Sequence, residues 1–353
     1  MVKNLLREIL ERHAEKVELH LYSNRPFLYS PPQAITRVIP ASSLRYAVTE
    51  LRKAVKADDC DVFLGTGPAV LAGRCPSVLV VYDDSPRVDD FPVPLLSKIG
   101  HRYVAARLAR RAKLWVAGLA DALIFDSEIV ERDVLAASPH LSGKERVVIH
   151  WATDPELHHL DRKESNDYVA KRLGITSPFI LYVGAVNRPK NLEGLVSLYR
   201  RVREHHHRML LVVVGGKAWP AYRRDPLENV EGIRYFPWLS DEAVAACYGA
   251  CEVFVTLSWY EGFGLPVVEA MTHGAPVVVS NRGALPEVIG EAGLVVDPEN
   301  LTHAAEVVCR FLDDSTVREQ LRVQSLLRAK DFTWSGAADR AVALIQNVAS
   351  KGC

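Results

Sequence analysis

Long apolar runs and excess charge are both missing from this sequence. No uninterrupted stretch approaches the roughly 20 apolar residues that a membrane-spanning helix needs, although 48% of the residues are hydrophobic. Lysine plus arginine equals aspartate plus glutamate at 43 each. A neutral chain has no overall field that would attract nucleic acid, so we expect no nucleic-acid partner. These absences are typical of a cytoplasmic globular protein.

Cysteine is scarce and lacks the spacing of a metal site. The six cysteines are scattered, except that Cys247 and Cys251 are four positions apart on a predicted helix. This distribution matches neither a zinc site nor a disulfide scaffold. Asp59 and Asp61 form a D-x-D pattern, but they precede a predicted strand and are more simply interpreted as solvated residues. We therefore expect reduced thiols, no bound metal and no cofactor.

Short apolar runs alternate with helical patterns along the whole chain, as in parallel α/β domains. Residues 152–170 are rich in charge without a strong period, which is typical of a linker. A chain of 353 residues can form two domains. We therefore predict two Rossmann-like halves that meet near residue 165, with the ligand at the carboxyl ends of the strands. The ten predicted strands are VELHLYS, DVFLG, SVLVVYD, ALIFDS and RVVIH in the first half, and FILYVG, LLVVVGG, IRYF, VFVTLS and PVVVS in the second.

Residues 258–283 have the features of a ligand site, with the sequence SWYEGFGLPVVEAMTHGAPVVVSNRG. Pro266 favours the start of a helix and Gly274 its end, so we predict about two helical turns between them. Glycines before the helix let a ligand approach the main chain, and the helix dipole favours an anion there. A phosphate therefore suits the backbone amides of Phe263, Gly264 and Leu265.

Two glutamates accompany this predicted anion site. Glu261 stands just before the helix, and Glu269 lies about one turn inside it. Neither carboxylate would strengthen the binding of an anion, so we expect both to accept hydrogen bonds from hydroxyl groups. Such charge-assisted bonds contribute about 1.5–3 kcal/mol each. A phosphate beside hydroxyl groups is typical of a nucleotide sugar.

This run resembles the signature of the retaining glycosyltransferases of family 4, which has an EGFGLP turn and a second glutamate at the same spacing. The resemblance implies the GT-B fold, an α/β architecture of two Rossmann-like domains whose parallel sheets face across a cleft. It also implies a C-terminal helix that returns to the first domain. We therefore expect an acceptor-side domain over residues 1–165, a donor domain over 166–334 and a return helix over 335–353.

A second segment, FILYVGAVNRPKNLEGL, is similar to the family's strand, glycine turn and basic pair. Gly184 ends the strand, and the resemblance implies that it belongs to the donor-binding turn. Lys190 and Arg188 are implied to neutralise the charge that builds on the leaving diphosphate. Arg188 departs from the family pattern, in which the arginine directly precedes the lysine, because Pro189 takes that place here.

A third segment, LLVVVGGKAW, ends a predicted strand in Gly215 and Gly216. The resemblance implies that the nucleotide lies close to the backbone of both glycines. Trp238 belongs to a segment similar to the one that flanks the nucleoside base in the family. A large aromatic residue beside a strand end is more often part of the core, so we interpret Trp238 as a core residue.

The resemblance also implies a reaction and a role for each glutamate. Glu261 contacts the transferred sugar, and Glu269 holds the ribose hydroxyls. The implied activity is retaining transfer of a hexose from a nucleotide-diphosphate donor to a glycan or lipid-linked acceptor, without metal or cofactor. GDP-mannose is the preferred donor, because the GAVNRPKN and GGKAW segments look most like those of bacterial mannosyltransferases. The alternatives are a nucleotide-sugar binding protein without catalysis and a sugar phosphorylase or epimerase of the same fold.

The first half carries weaker signals. Asp83 follows a predicted strand, where contact with acceptor or sugar hydroxyls and a polar strand end are equally good interpretations. Between Lys98 and Lys113 there are six basic residues and no acidic ones, which fits a solvated helix face or a peripheral contact with the inner membrane surface. The family opens with a strand and a glycine-rich loop, whereas this sequence opens with a helical pattern. We expect about 15–25 residues of the family pattern to be missing, through either an upstream start or a variant with impaired catalysis.

Overall fold

The computed structural model of the chain divides into two compact units. Unit 1 comprises Met1–Trp151 and Thr333–Cys353, and unit 2 comprises Ala152–Phe332. Asp83 and the six basic residues from Lys98 to Lys113 lie outside the described residues. Within the described part, none of the helices has the length and apolar character of a membrane span. The structure describes residues 2–23, 31, 33–40, 49–65, 75–81, 112, 114–157, 160–218, 222 and 225–351.

Helices and strands alternate through both units. The described helices are α1 (Val2–His13), α2 (Leu51–Ala57), α3 (Glu128–Ala137), α4 (Arg162–Leu173), α5 (Leu192–His205), α6 (Asp241–Ala250), α7 (Leu265–Thr272), α8 (Leu285–Ile289), α9 (Leu301–Asp313), α10 (Ser315–Ala329) and α11 (Trp334–Lys351). The described strands are β1 (His20–Ser23), β2 (Ile35–Val38), β3 (Phe63–Gly65), β4 (Ser77–Val81), β5 (Ala122–Phe125), β6 (Glu145–Val148), β7 (Phe179–Val183), β8 (Leu210–Val214), β9 (Ile233–Phe236), β10 (Val253–Thr256), β11 (Val277–Ser280) and β12 (Gly293–Val296).

Unit 1 contains a parallel sheet in which the described strands follow the order β3-β4-β5-β6, and β1 and β2 form a separate parallel pair. β4 and β5 are buried along their whole length. Continuous burial is expected of central strands in a parallel sheet, because helices cover both faces. The apolar runs of β4 and β5 therefore form the interior of this sheet.

The C-terminal helix α11 completes unit 1. It packs on α1 and along β4, β5 and β6. Trp334, at its first turn, lies against the buried Trp151 with 5.9 Å between the ring centroids. Asp339 accepts hydrogen bonds from Arg12 at 2.9 Å and from His13 at 2.8 Å. The expected return of the last helix to the first half of the chain is confirmed.

Unit 2 contains a parallel six-stranded sheet in the order β12-β11-β10-β7-β8-β9. Leu181 of β7 pairs with Val212 of β8 on one side and with Phe254 of β10 on the other. The chain runs outward from β7 to β9, crosses to β10 and continues outward to β12. Ligands of such sheets bind at the carboxyl ends of the strands where the order reverses. That position lies between β7 and β10.

All ten predicted strands are present, and the structure adds β2 and β12. β2 is exposed at all four positions, and β12 is only partly buried. A strand of four residues at the edge of a sheet needs no continuous apolar run. β2, with the sequence ITRV, has no such run, whereas β12, with the sequence GLVV, is a short apolar run that the sequence prediction missed.

Residues 152–170 are not a linker throughout, because α4 begins within them. The side chain of Asp161 accepts a hydrogen bond from the amide of Glu164, and the side chain of Glu164 accepts one from the amide of Asp161. This capping box is a helix start signal, but α4 is too polar to show an apolar period. The units divide after Trp151, and unit 1 resumes at Thr333. The boundaries expected near residues 165 and 335 are corrected accordingly, since residue 165 lies inside α4.

Candidate active site

The candidate site lies at the carboxyl ends of β7 and β10. After β7, the chain forms a short 3-10 turn over Arg188–Lys190 and then bends at Asn191. The side-chain amide of Asn191 donates to the carbonyl oxygen of Leu257 at 3.0 Å. The amide of Trp259 donates to the carbonyl oxygen of Pro189 at 2.9 Å. These two bonds tie the loop after β7 to the loop after β10.

Lys190 and Glu261 meet where the two loops are joined. The Lys190 ammonium lies 2.6 Å from Oε2 of Glu261, and the Ser258 hydroxyl donates to Oε1 at 2.6 Å. The side chains of Lys190 and Glu261 are only 22% and 13% exposed. Each oxygen of the carboxylate therefore has a donor, and the ammonium is held at the edge of the sheet. A charged ammonium in that position can bind an anion, and a fixed carboxylate can accept hydrogen bonds from hydroxyl groups.

Arg188 lies at the start of the same 3-10 turn, two positions before Lys190. Its side chain is partly exposed. Within the described residues, its guanidinium forms no hydrogen bond or ion pair. It is therefore available to a ligand. The role of Arg188 in the site stays a prediction.

The entrance of α7 has the predicted form. α7 has eight residues, so the predicted helix of about two turns is confirmed. Gly264 caps it in the left-handed conformation with a φ of 92°, which a residue with a Cβ adopts only at a cost. Pro266 is the second helical residue rather than the first. No acceptor among the described residues binds the amides of Gly264 and Leu265, which lie at the positive end of the helix dipole.

The side chain of Phe263 anchors the turn that leads into α7. Its side chain is buried and meets Phe332 edge to face, with 5.8 Å between the ring centroids. Aromatic pairs in this arrangement stabilise a fold by about 0.5–1.5 kcal/mol beyond their burial. The aromatic side chain thus anchors the turn and holds the neighbouring amides in place.

Glu269 lies on α7 and points toward α6. The hydroxyl group of Tyr248 donates to its Oε2 at 2.8 Å. Burial raises the pKa of Glu269 to about 7, with smaller contributions from the charges of Asp241 and Asp154, and the bond from Tyr248 opposes the rise. A carboxyl group with such a pKa changes its charge near neutral pH.

Three glycines lie where β7 and β8 end, and they are required for different reasons. A Cβ on Gly215 would stand 2.0 Å from the carbonyl oxygen of Gly184, so the two turns are in direct backbone contact. A Cβ on Gly184 would meet the hydroxyl of the buried Tyr182 at 2.8 Å. By contrast, the nearest atom to a Cβ on Gly216 is the carbonyl oxygen of Pro237 at 3.8 Å. The fold itself therefore requires Gly184 and Gly215, whereas the space beside Gly216 is open.

The expectation that Trp238 is a core residue is wrong, because its side chain is 77% exposed. It directly follows Pro237, at the loop between β9 and α6, where burial against the sheet would require the chain to turn inward. Instead, Ser240 caps α6 by accepting from the amide of Ala243. The chain enters the helix at once, and the indole stays in solvent.

Sequence reasoning missed three residues of the site. Ser258 stands within the recognised motif, and a hydroxyl three positions before a carboxylate was a usable signal. Asn191 directly follows Lys190 and carries no charge, yet its φ of 53° and its bond to Leu257 fix the loop. Tyr248 had no local signal, since its contact with Glu269 depends on how α6 packs beside α7.

Comparisons with known proteins relate part of this chain to glycosyltransferases. Residues 167–325 match the family described as glycosyl transferases group 1. O-antigen chain mannosyltransferase B of Escherichia coli is 36% identical over 169 residues, which cover 46% of this chain and 44% of that protein. The match thus spans less than half the length of this curated relative.

Solved structures share the fold of the chain at low sequence identity. Sucrose-phosphate synthase from Thermosynechococcus elongatus has a TM-score of 0.75 and 20% identity, covering 99% of this chain and 93% of that one. Anabaena HepE, solved in complex with UDP and glucose, has a TM-score of 0.72 and 17% identity, covering 98% and 95%. The fold is that of the GT-B glycosyltransferases. The match to glycosyl transferases group 1 lies within unit 2, which holds the candidate site, and the chain resembles the bacterial mannosyltransferases of this group.

Proposed function

We propose that this protein is a retaining glycosyltransferase that transfers a hexose from a nucleotide-diphosphate donor to a glycan or lipid-linked acceptor. The bond between the anomeric carbon and the diphosphate breaks, and a bond from that carbon to the acceptor oxygen forms on the same face of the sugar. The acceptor proton passes to the departing phosphate oxygen. No enzymic nucleophile takes part, and no metal or cofactor is needed.

The observation that carries this proposal is the meeting of Lys190 and Glu261 between β7 and β10. The sheet brings the two loops together where its strand order reverses, which is the usual ligand position in such sheets. A cation for the diphosphate and a carboxylate for the sugar are then adjacent. The entrance of α7 adds the amides of Gly264 and Leu265 and the end of a helix dipole.

Each residue has a distinct proposed role. Lys190, with Arg188 from the same turn, stabilises the charge that grows on the leaving diphosphate. Glu261 holds hydroxyls of the transferred sugar, and Glu269 holds the ribose. The open space beside Gly216 lets the nucleotide lie against the backbone.

Mannose, supplied as GDP-mannose, is the proposed sugar. The similarity to O-antigen chain mannosyltransferase B of Escherichia coli supports this choice. The solved HepE complex contains UDP and glucose, so a uridine nucleotide is the main alternative. The acceptor is proposed only as a glycan or a lipid-linked sugar.

Thermal stabilisation by nucleotides tests the donor site first. A ligand that binds only the folded state at 100 times its Kd stabilises it by about 2.7 kcal/mol. We expect GDP to raise the melting temperature more than UDP, ADP or TDP. A selective rise with UDP would reject GDP-mannose, and no rise with any of the four in folded protein would reject the donor site.

The transfer itself is tested with GDP-mannose and mannose-terminated oligosaccharides. We expect acceptor-dependent release of GDP, and a product whose new linkage has the anomeric configuration of the donor. The inverted configuration would reject the retaining mechanism. Turnover that needs inorganic phosphate instead of a sugar acceptor would reject the transferase in favour of a phosphorylase.

A further inference from the structure

The carboxylate of Glu269 is held by a residue from another helix. Tyr248 of α6 is fully buried, and its hydroxyl donates to Oε2 of Glu269 on α7 at 2.8 Å. Burial, with a smaller contribution from the charge of Glu269, raises the pKa of Tyr248 far above its usual range. The phenol therefore stays protonated and donates to the ionised carboxylate. Within the described part of the chain, Tyr248 bonds one carboxylate oxygen of Glu269, and no group bonds the other.

The ring of Tyr248 contacts two other aromatic rings. The ring of His273 stacks on it with 5.6 Å between centroids and 23° between planes, and Phe254 lies at a tilt 5.8 Å away. Nδ1 of His273 is 2.8 Å from the carbonyl oxygen of Glu269, so it donates a hydrogen bond to the same residue that Tyr248 binds. The phenol, the imidazole and the glutamate thus form one cluster, in which Tyr248 holds the carboxylate of Glu269 and His273 holds its main-chain carbonyl.

We propose that Tyr248 is a positioning residue for the ribose of the donor nucleotide, because it holds one oxygen of Glu269 and directs the other toward the ribose hydroxyls. This inference rests on the proposed function. A carboxylate has about four acceptor positions, so one bond from Tyr248 leaves enough for two adjacent hydroxyls. Tyr248 does not touch the nucleotide and acts only through Glu269.

The same contact governs the charge of Glu269. The groups that face its carboxyl are Tyr248, Asp241 and Asp154: the tyrosine favours the ionised form, whereas burial and the two aspartates oppose it. The ionised form accepts hydrogen bonds from hydroxyls more strongly than the neutral form. Removing the phenol hydroxyl should therefore shift nucleotide binding toward higher pH.

The test compares Tyr248→Phe with a matched control, Tyr199→Phe. Tyr199 is also fully buried in unit 2, and its hydroxyl donates to the carbonyl oxygens of Met209 and Glu231. Calorimetric titration measures the Kd of GDP and of 2′,3′-dideoxy-GDP, with UDP and its dideoxy analogue in parallel. We expect Tyr248→Phe to weaken GDP binding about tenfold, which equals about 1.4 kcal/mol, and to leave dideoxy-GDP binding unchanged. Tyr199→Phe should change neither.

A second variant keeps the proposal testable if Tyr248→Phe does not fold. His273→Phe retains a ring against Tyr248 but removes the hydrogen bond to Glu269. We expect a smaller loss of GDP affinity, again absent with the dideoxy analogue, because the imidazole bonds the main chain of Glu269 and not its carboxylate. In either variant, an equal loss for both nucleotides would overturn the proposal, because it would indicate a structural role only.

The outcome for the wild type separates this proposal from the proposed function. A wild type that binds neither GDP nor UDP rejects both. A wild type that prefers GDP to its dideoxy analogue, together with a Tyr248→Phe variant that keeps the same preference, rejects only the role of Tyr248.

Discussion

The ammonium of Lys190 and the carboxylate of Glu261 are 2.6 Å apart, although the residues stand 71 positions apart in the sequence. Their contact joins the loops that follow two neighbouring strands, β7 and β10. Glu261 is the counter-ion of Lys190. Under the proposed function, a diphosphate would share that ammonium with Glu261.

Replacing Lys190 with methionine tests the ammonium at nearly constant side-chain length. Removal of one preorganised donor to a developing anion lowers kcat by about 10²–10³ in other enzymes, and we expect a loss of that order in transfer. Lys171→Met is the matched control, because Lys171 forms an exposed ion pair with Asp167 on α4. Equal transfer rates in the two variants would contradict the role of Lys190.

Replacing Glu261 and replacing Glu269 should impair different steps. Glu261→Ala is expected to suppress sugar transfer more than nucleotide binding, because its carboxylate belongs to the pair with Lys190. Glu269→Ala is expected to weaken nucleotide binding, because it removes the acceptor for ribose hydroxyls. Titration of GDP and a transfer assay on both variants check this division. Nucleotide affinity equal to that of the wild type in both would contradict it.

The neighbouring glycines Gly215 and Gly216 should respond differently to alanine. Gly215→Ala places a Cβ against the carbonyl oxygen of Gly184 at a positive φ of 140°, so we expect a lower melting temperature, with strain of about 1–3 kcal/mol. Gly216→Ala meets no atom within 3.8 Å and should melt like the wild type. Its methyl group should nevertheless weaken GDP binding, by about 1–3 kcal/mol if it crowds the nucleotide.

If Gly216→Ala binds GDP as tightly as the wild type does, the nucleotide does not lie against this turn. A fall in its melting temperature would instead indicate that the fold, and not the ligand, requires glycine there.

Ionisation of Glu269 should lower the stability of the nucleotide-free protein. Its pKa is about 7 in the folded state against an ordinary value of 4.5, so the folded protein binds more protons between these values. The contribution of Glu269 to the free energy of unfolding is then fully present below about pH 4.5 and is lost as the pH rises through about 7. Glu269→Gln lacks this ionisation and can still accept the bond from Tyr248. We expect the melting temperature of the variant, relative to the wild type, to rise between pH 5 and pH 7.5.

A constant difference between the two proteins over that range would contradict the raised pKa. Other titrating groups do not affect this comparison, because both proteins share them.

Trp334→Ala should destabilise unit 1, because it empties the space beside Trp151. Large-to-small replacement of a buried tryptophan costs about 3–5 kcal/mol. Trp115→Ala is the matched control in the same unit, since Trp115 is 65% exposed, and its effect should stay within about 0.5 kcal/mol. Limited proteolysis reports the opening of unit 1, and GDP titration reports unit 2. Equal protease resistance in the two variants would contradict the role of the tryptophan pair.

Much of the fold could be predicted from local pattern. Parallel strands buried on both faces are continuous apolar runs, and β4, β5, β10 and β11 have that form. β2 is exposed and contains polar residues, so it carries no such signal, whereas the short apolar run of β12 was a usable one. The capping box of Asp161 and Glu164 was readable in the sequence, but the high charge of α4 concealed the helix that it starts.

The residues of the candidate site also divide into those that local sequence predicts and those that it does not. Glu261, Gly264 and Glu269 stand in one continuous motif, so their spacing indicates their placement. Lys190 reaches them only through the pairing of β7 with β10. Tyr248 reaches Glu269 only through the packing of α6 beside α7. Such contacts depend on tertiary structure, which a single sequence does not encode in any local spacing.

The two segments of unit 1 have a consequence for protein synthesis. Because Thr333–Cys353 follows all of unit 2 in the sequence, α11 is translated after every strand that it covers. Unit 2 is continuous and can fold as soon as it leaves the ribosome, since domains generally fold as units during synthesis. Until the last helix emerges, Trp151 and the inner face of α1 remain uncovered. The nascent chain in that interval is the species that presents apolar surface to chaperones and proteases.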